Sequence, residues 1–310
     1  MTSVHSRQLG WSALILAMAS WGSVVVTIKI AARGLPVQTI TLIEVGSAIA
    51  LLGAVLLHRR TRLARPSRMV VLAGLLEPGV SYPLINAGLA RTSGTHGAVI
   101  VGTESVIIVL LSAAVARRLP TRRILLAVLV TTLGAALVGG GEGGSASIRG
   151  DLLVAAGVVC AACYVLIAQR AAVGTDTVTF TFWQFVIGAA VIAPVTAAAS
   201  ATGLSGGFWG HPTAGQLAAA LAAAVLGSAV AFSLYNWALT QVSTVAAGVS
   251  LTLIPVFGVA FSAALLSEPV TLATLAAAVA VIVGVVASVE PEPKPPAPME
   301  TATMVGHLSS

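Results

Sequence analysis

Residues 227–271 of this 310-residue chain read GSAVAFSLYNWALTQVSTVAAGVSLTLIPVFGVAFSAALLSEPVT. The stretch covers the second half of one long apolar run, 213–238, and the whole of another, 242–266. A helix needs about 20 predominantly apolar residues to cross the hydrocarbon core of a bilayer. Both runs reach that length, so the stretch predicts two consecutive transmembrane helices with a tight turn between them.

Runs of the same kind recur along the chain, and ten can be counted in all. The other eight are 9–32, 36–57, 68–90, 94–115, 121–140, 152–172, 177–199 and 269–289. None of the ten alternates apolar and polar residues with a period of two, which is the pattern of a strand in a membrane barrel. The sequence therefore predicts an all-α integral membrane protein with ten transmembrane helices.

The composition excludes several classes of protein. Hydrophobic residues make up 57% of the chain and charged residues 8%, whereas a soluble domain has about 25% charged residues. So little charge does not cover a surface in water, which excludes a cytosolic enzyme, a disordered protein and a nucleic-acid-binding module. The net charge of +6 resides in short basic clusters between the apolar runs. The partner it indicates is the lipid bilayer and not a nucleic acid.

The basic residues also predict the orientation of the chain. If the N-terminus lies in the cytoplasm, 12 of the 16 Lys and Arg residues fall on the cytoplasmic side. Short loops that remain in the cytoplasm are enriched in Lys and Arg. We therefore expect a multi-pass protein of the cell (inner) membrane with both termini in the cytoplasm.

The chain divides into five segments. In chain order they are a short N-terminal tail (1–8), a first repeat (9–140), a Gly-rich connector (141–151), a second repeat (152–289) and a Pro-rich tail (290–310). The last segment has few large apolar residues, so it is predicted to be a disordered cytoplasmic tail.

The two long segments resemble each other position by position. Asn86 and Asn236 are 150 residues apart, whereas nearer the start of each half an offset of 140 aligns Glu44 with Gln184. Each half holds five predicted spans, and an odd number inserts the second copy upside down. Inverted repeats of this kind are common in secondary transporters, where the substrate site lies between the two halves. We therefore expect two inverted five-helix repeats around one site.

Several short motifs carry a resemblance to a known family. They are YNWAL at 235–239, Pro255 within the ninth span, the Ser-Glu-Pro sequence at Glu268, WGS at 21–23 and LLEPG at 75–79. Together they resemble the EamA-type members of the drug/metabolite transporter superfamily. The resemblance covers most of the chain, about residues 9–289.

This resemblance implies a fold and an activity. The fold is ten spans in an inverted repeat with cytoplasmic termini, and the activity is transport of a small-molecule substrate through a central cavity. Many members of the family are thought to export amino acids or related compounds. The expected function is thus a secondary transporter of small metabolites.

Three acidic residues lie well inside predicted spans: Glu44, Glu77 and Glu104. A charged group at this depth costs about 2.5–3.5 kcal/mol on insertion scales. Counted at 1.5 Å per residue, Glu77 and Glu104 lie about 14–15 Å from the span ends. One hypothesis is that the acids line the cavity and bind a proton or a cationic group of the substrate. The alternative is structural, with Glu44 paired to Lys29 and the others hydrogen-bonded to Ser, Thr or backbone groups.

Other polar and aromatic residues within the spans are candidates for the same site. Asn86 and Asn236 either cap helices or touch the substrate. Trp21 and Trp183 lie deep enough to form a cavity wall, although packing against lipid is the alternative. Pro78 and Pro255 are predicted to kink or unwind their helices, and Pro255 should free a backbone carbonyl near Leu251.

The motifs leave three classes of function to compare. The first is a proton-coupled exporter, and because no nucleotide-binding motif is present, ATP is not its direct energy source. The second is an uncoupled facilitator. The third is an intramembrane enzyme, which is disfavoured because neither Asp151 nor Asp176, the two aspartates, lies deep in a span. No catalytic residue, metal site or cofactor is predicted, since Cys160 and Cys163 have no nearby partners to complete a ligand set.

Overall fold

The computed structural model of the chain describes a subset of its 310 residues in detail. The described residues are 4–89, 91, 100–101, 103–117, 119–139, 147–202, 208, 210–266, 270 and 272–288. Within these ranges every regular element is a helix and no strand is present. The all-α prediction is therefore confirmed for this part of the chain.

The helices are labelled α1–α10 in chain order. In the first half they are α1 (Val4–Ala31), α2 (Val37–His58), α3 (Arg68–Gly74, Leu75–Val80 and Ser81–Leu89), α4 (Glu104–Ala116) and α5 (Arg122–Gly139). In the second half they are α6 (Ile148–Ala172), α7 (Thr177–Ala201), α8 (Ala214–Ala223, Ala224–Ala231 and Phe232–Ala238), α9 (Thr244–Ser250 and Leu253–Leu266) and α10 (Leu272–Ser288).

Local sequence explains where many of these helices begin. A Ser, Thr or Asp side chain that accepts a hydrogen bond from a first-turn N–H stabilises a helix start. Asp176 accepts such a bond from the Thr179 N–H at 2.9 Å. Thr213 and Gln216 form a reciprocal capping box at the start of α8. The polar connectors therefore end one helix and begin the next within a few residues.

Seven helices are long and apolar enough to cross a membrane. They lie within α1, α2, α3, α6, α7, α8 and α9 and have 18 to 25 residues each. The other three predicted spans correspond to α4, α5 and α10, with 13, 18 and 17 described residues. These lengths lie at or below the short end of the range for a span. For α4, the predicted first half falls largely on residues 92–99, outside the described part of the chain.

The surfaces of α5 and α10 are nevertheless apolar. Leu126 of α5 exposes 61% of its surface, and Val283 of α10 exposes 59%. Further exposed Leu, Val and Ile side chains lie along both helices. A large apolar surface of this kind is costly in water but normal in contact with lipid tails.

Contacts between helices relate the two halves to each other. If α1–α5 are matched in order with α6–α10, every major contact has a counterpart. The contact of α1 with α8 matches that of α6 with α3, and α2 with α8 matches α7 with α3. The contact of α1 with α9 matches that of α6 with α4. Three further contacts join a helix to its own equivalent in the other half: α2 to α7, α4 to α9 and α5 to α10. The packing is thus that of a duplicated unit.

Both halves also carry an irregular helical turn at the same place. Leu75–Val80 in α3 contains a kink with non-helical backbone angles at Glu77, and Ala224–Ala231 in α8 is π-helical. The offset of 150 residues that aligns Asn86 with Asn236 also superposes these two segments. Single π-helical turns inside α-helices are rare and are often found at functional sites.

Two sets of loops mark opposite ends of the bundle. At one end, Arg59 pairs with Asp176 at 3.9 Å, so the loop after α2 lies next to the loop after α6. At the other end, the Thr39 hydroxyl donates to the Phe208 carbonyl at 2.5 Å. The two loops joined at the first end are among those that the sequence predicts to face the cytoplasm.

Candidate functional site

Glu77 lies at the point where α3 departs from α-helical geometry. Its backbone angles are φ −138° and ψ 117°, which are not helical, and they form a kink next to Pro78. A proline lacks an N–H and disfavours the α conformation at the preceding residue. The break in α3 therefore has a cause in the sequence, and it turns Glu77 away from the regular helical path.

The carboxyl group of Glu77 is buried. Only 7% of the residue is exposed, and its Oε2 has no hydrogen-bond partner of normal geometry among the described residues. The Ser81 hydroxyl lies within hydrogen-bonding reach of the carboxyl group, although neither this hydroxyl nor Glu77 Oε2 makes a hydrogen bond of normal geometry in the described part of the chain. A buried polar group without a partner costs about 1–3 kcal/mol, so native structures hold few of them.

Glu104 lies at the start of α4 and is half-buried. It is close enough to Glu77 for the two side chains to interact electrostatically. The structure thus brings together two acids that the sequence places at similar depth. Glu44 is also buried, with 7% exposed, on α2. The side chain of Lys29, its predicted partner, lies outside the described part of the chain.

A hydrogen-bonded network of buried side chains lies next to Glu77. The Tyr164 hydroxyl donates to Asn236 Oδ1 at 2.5 Å, and Asn236 Nδ2 donates to Gln184 Oε1 at 2.8 Å and to Thr181 Oγ1 at 3.1 Å. Gln184 Nε2 in turn donates to the backbone carbonyl of Glu77 at 3.1 Å. The network joins α6, α7 and α8 to the irregular turn of α3.

The sequence identified this network only in part. Asn236 is a predicted site residue, and the structure places it fully buried at the centre of the network. Gln184 and Thr181 could have been found as the counterparts of Glu44 and Thr41 in the second repeat, but Tyr164 carried no signal of its own. The side chain of Asn86, the counterpart of Asn236, lies outside the described residues.

Trp21 contacts the second irregular turn. Its indole N–H donates to the Gly227 carbonyl at 2.9 Å, and Gly227 lies within the π-helical segment of α8. Its ring packs against Phe232 and Tyr235, with centroids 5.0 and 5.3 Å away. Trp21 therefore lies inside the bundle, next to Tyr235.

Trp183 lies elsewhere. Its indole N–H donates to the Ala64 carbonyl at 3.1 Å, in the loop after α2, and its ring packs against Phe182. This places the Trp183 side chain near the end of the bundle that holds Arg59 and Asp176.

Tyrosine and serine hydroxyls complete the surroundings of the acids. The Tyr235 hydroxyl is buried and unpartnered within the described chain, and Tyr235 interacts electrostatically with both Glu104 and Glu77. Ser228, in the π-helical segment of α8, also has a buried hydroxyl without a partner of normal geometry, and Tyr82 lies beside it. Several polar atoms that lack protein partners therefore cluster around the two carboxyl groups.

α9 is interrupted where Pro255 predicts a break. Leu251 and Thr252 form a turn between the two helical pieces. Close to this turn, the Ser105 hydroxyl of α4 donates to the Gly248 carbonyl at 2.9 Å. The two helices approach closely there, since a Cβ on Gly248 would lie 2.6 Å from Ile108 Cγ2.

A cavity of about 380 Å³ opens beyond this contact, between α4, α6 and α9. Its lining includes Ser112, Gln169, Arg170 and Thr244. It lies toward the end of the bundle that holds the loops after α4, α6 and α8, and none of the three acids lines it.

Some predicted features lie outside the described residues: Glu268, most of the Gly-rich connector (141–146) and the C-terminal tail (290–310). Among the residues that are described, no group of three or more His, Cys, Asp and Glu side chains is arranged to hold a metal ion.

Comparison with known proteins gives a family. No curated protein matches the sequence, whereas 29 chains of solved structures match the fold. One of them, described only as "Crystal structure of protein", has a TM-score of 0.77 at 16% identity over 92% of this chain and 96% of its own length. At that identity the likeness supports the fold alone. The model of the EamA-like transporter family matches residues 8–140 and 148–289, one match for each half. The chain is therefore a multi-pass membrane protein that belongs to the EamA-like transporter family.

Proposed function

We propose that this protein is a proton-coupled secondary transporter that exports a small metabolite, such as an amino acid or a related compound. Its membrane part would be ten transmembrane helices in two inverted five-helix repeats, with both termini in the cytoplasm of the cell (inner) membrane. The reciprocal helix contacts and the paired irregular turns support the repeat. The basic loops support the orientation.

The observation that carries the proposal is the carboxyl group of Glu77. It is buried, it has an oxygen without a hydrogen bond of normal geometry among the described residues, and it interacts electrostatically with Glu104 in an apolar bundle. Ionisable groups at membrane depth generally mark ion paths or substrate sites, because their insertion is costly. A carboxyl group that binds either a proton or a cationic substrate, but not both at once, would couple proton movement to substrate movement.

The paired irregular turns suggest how access alternates. The substrate sites of transporters with inverted repeats are typically formed where helices are interrupted near the middle of the membrane. Glu77 in α3 and Gly227 in α8 occupy such interruptions here. In the proposed cycle, α3 and α4 rock against α8 and α9, and Glu77 and Glu104 face one side of the membrane at a time.

The experiment begins with metabolite profiles of cells with and without the gene, which identify an exported compound. Its flux is then measured in proteoliposomes with and without an imposed pH gradient. We expect the gradient to drive flux of the wild type, and Glu77→Gln and Glu104→Gln to abolish that dependence. Asp176→Asn is the matched control, since it makes the same chemical change at an exposed helix cap where Asn also serves.

An uncoupled facilitator is the alternative within the same family. It would give flux that follows the substrate gradient and ignores the pH gradient. That result in the wild type would contradict proton coupling but would still support transport of the compound.

A further inference from the structure

We propose that the site around Glu77 and Glu104 recognises organic amines, compounds with a positively charged nitrogen and an apolar body but no carboxylate. The inference rests on the proposed function, since it names the substrate class of the same site, and it narrows the proposed small metabolite to amines and away from amino acids.

The first argument is the balance of charge at the site. Glu77 and Glu104 interact with each other, whereas every Arg of the described helices lies within three residues of a helix end. The groups that act on the two carboxyls include no Arg, and the side chain of Lys29 lies outside the described part of the chain. The described side chains thus place two carboxyl groups at the site without an Arg to pair with them.

The second argument is the set of unpartnered polar atoms. Glu77 Oε2, the Ser81 hydroxyl and the Tyr235 hydroxyl are all buried and have no hydrogen bond of normal geometry within the described chain, although Ser81 lies within reach of the Glu77 carboxyl group. A primary ammonium group carries three N–H donors and no acceptor. Such a group would satisfy the Glu77 oxygen and a hydroxyl oxygen at once, and charge-assisted hydrogen bonds are the strongest of this kind.

The third argument concerns the body of the ligand. Tyr235 packs against Trp21, which packs against Phe232. An aromatic face attracts a cation and also offers apolar contact. This surrounding favours an amine with an apolar or aromatic body over a small, strongly hydrated cation.

A carboxylate on the substrate would be disfavoured at the same place. An amino acid brings its carboxylate within a few bonds of its ammonium group, and therefore close to Glu77 and Glu104. Like charges repel strongly where water is excluded, and Arg, the usual partner for a carboxylate, does not lie at this depth in the described helices. The site should therefore distinguish an amine from the amino acid that has the same side chain.

The test compares three probes with one phenyl ring: phenethylamine, phenylalanine and 3-phenylpropionate. Binding to the purified full-length protein in detergent is measured by isothermal titration calorimetry. We expect phenethylamine to bind at least about tenfold more tightly than phenylalanine, and 3-phenylpropionate not to bind, because one unbalanced charge interaction is worth that much. Phenylalanine binding as tightly as phenethylamine, or no binding of phenethylamine, would overturn the inference.

Variants assign the binding to the site. Glu77→Gln and Glu104→Gln should each weaken phenethylamine binding at least about tenfold, and Ser81→Ala by a smaller factor. Asp176→Asn should leave it unchanged. Size-exclusion profiles and thermal unfolding show which variants are folded. If Glu77→Gln does not fold, Glu104→Gln and Ser81→Ala still provide the test. Unchanged binding in the folded variants would overturn the inference.

The outcomes also separate this inference from the proposed function. Proton-driven flux of phenylalanine without binding of phenethylamine would refute the amine specificity and leave the coupled transporter standing. If phenethylamine binds but flux depends neither on the pH gradient nor on the Glu77→Gln change, the amine specificity stands and the coupled transporter is refuted.

Discussion

Glu77 and Gly227 occupy equivalent positions in the two repeats, and the backbone carbonyl of each accepts a hydrogen bond from a side chain of another helix. Gln184 of α7 donates to Glu77 at 3.1 Å, and Trp21 of α1 donates to Gly227 at 2.9 Å. The two irregular turns are thus held by different donors. They also differ in what they present, since Glu77 brings a carboxyl group and Gly227 brings no side chain. The acid therefore belongs to only one of the two repeats.

Gln184→Leu should destabilise the protein by about 2–4 kcal/mol, because it removes one of the two hydrogen bonds that the Asn236 Nδ2 donates and leaves the Glu77 carbonyl without its side-chain donor in a buried position. Chemical unfolding in detergent, followed by circular dichroism, gives the free energy of unfolding. Gln8→Leu, the same change at an exposed position of α1, is the control and should alter it little. Equal effects of the two changes would show that the network does not hold the turn of α3.

Trp21→Phe should lower stability by about 1 kcal/mol and reduce transport, because it keeps an aromatic ring but removes the donor to the Gly227 carbonyl. Trp183→Phe removes an indole donor at the end of the bundle and should change transport little. Thermal unfolding and flux of the exported compound are compared for the two variants. A larger loss of transport in Trp183→Phe would place the site at that end instead.

Gly248→Ala should separate α4 from α9, because the new Cβ would lie 2.6 Å from Ile108 Cγ2. Overpacking of this kind costs about 1–3 kcal/mol. Ile108→Ala removes the nearest clashing atom but is itself costly at a fully buried position, so the two changes are compared in a double-mutant cycle, where Gly248→Ala should cost less in the Ile108→Ala background than in the wild type. An equal cost of Gly248→Ala in both backgrounds would show that the two residues do not limit the approach of the helices.

Pro255→Ala should straighten α9 and favour one facing state, so that transport falls more than substrate binding does. A proline inside a helix removes a backbone hydrogen bond and favours a break, and α9 is interrupted at Leu251–Thr252. Single cysteines on each side of the membrane report the facing state by their rate of labelling. Unchanged labelling on both sides, with unchanged transport, would mean that Pro255 has no role in the change of facing state.

Topology can be checked with the same chemistry in a chain whose Cys160 and Cys163 are replaced by Ala. A cysteine at position 145 or 205 should be labelled from outside the cell, and a cysteine at position 64 only from inside. The reason is the excess of Lys and Arg in the loops predicted to be cytoplasmic. Labelling of position 64 from outside would reverse the orientation.

The helices could be predicted from the sequence because apolar runs of sufficient length have few other stable forms. The irregular turn of α3 also had a signal, since Pro78 interrupts the hydrogen-bond pattern next to Glu77. The matching turn of α8 had none, because Ala224–Ala231 contains no proline and follows from the packing of the repeats. Tyr164, a partner of Asn236, was beyond the sequence for a similar reason, since it comes from a separate helix that meets α8 only in the fold.

The most direct test of the central claim is whether a substrate gradient moves protons. Proteoliposomes that contain a pH-sensitive dye are given a gradient of the compound identified by metabolite profiling, without any imposed pH gradient. The account predicts that the wild type moves protons against the flow of substrate, and that Glu77→Gln moves none while Asp176→Asn behaves as the wild type. Substrate flux in the wild type without proton movement, or the same proton movement in Glu77→Gln, would contradict it.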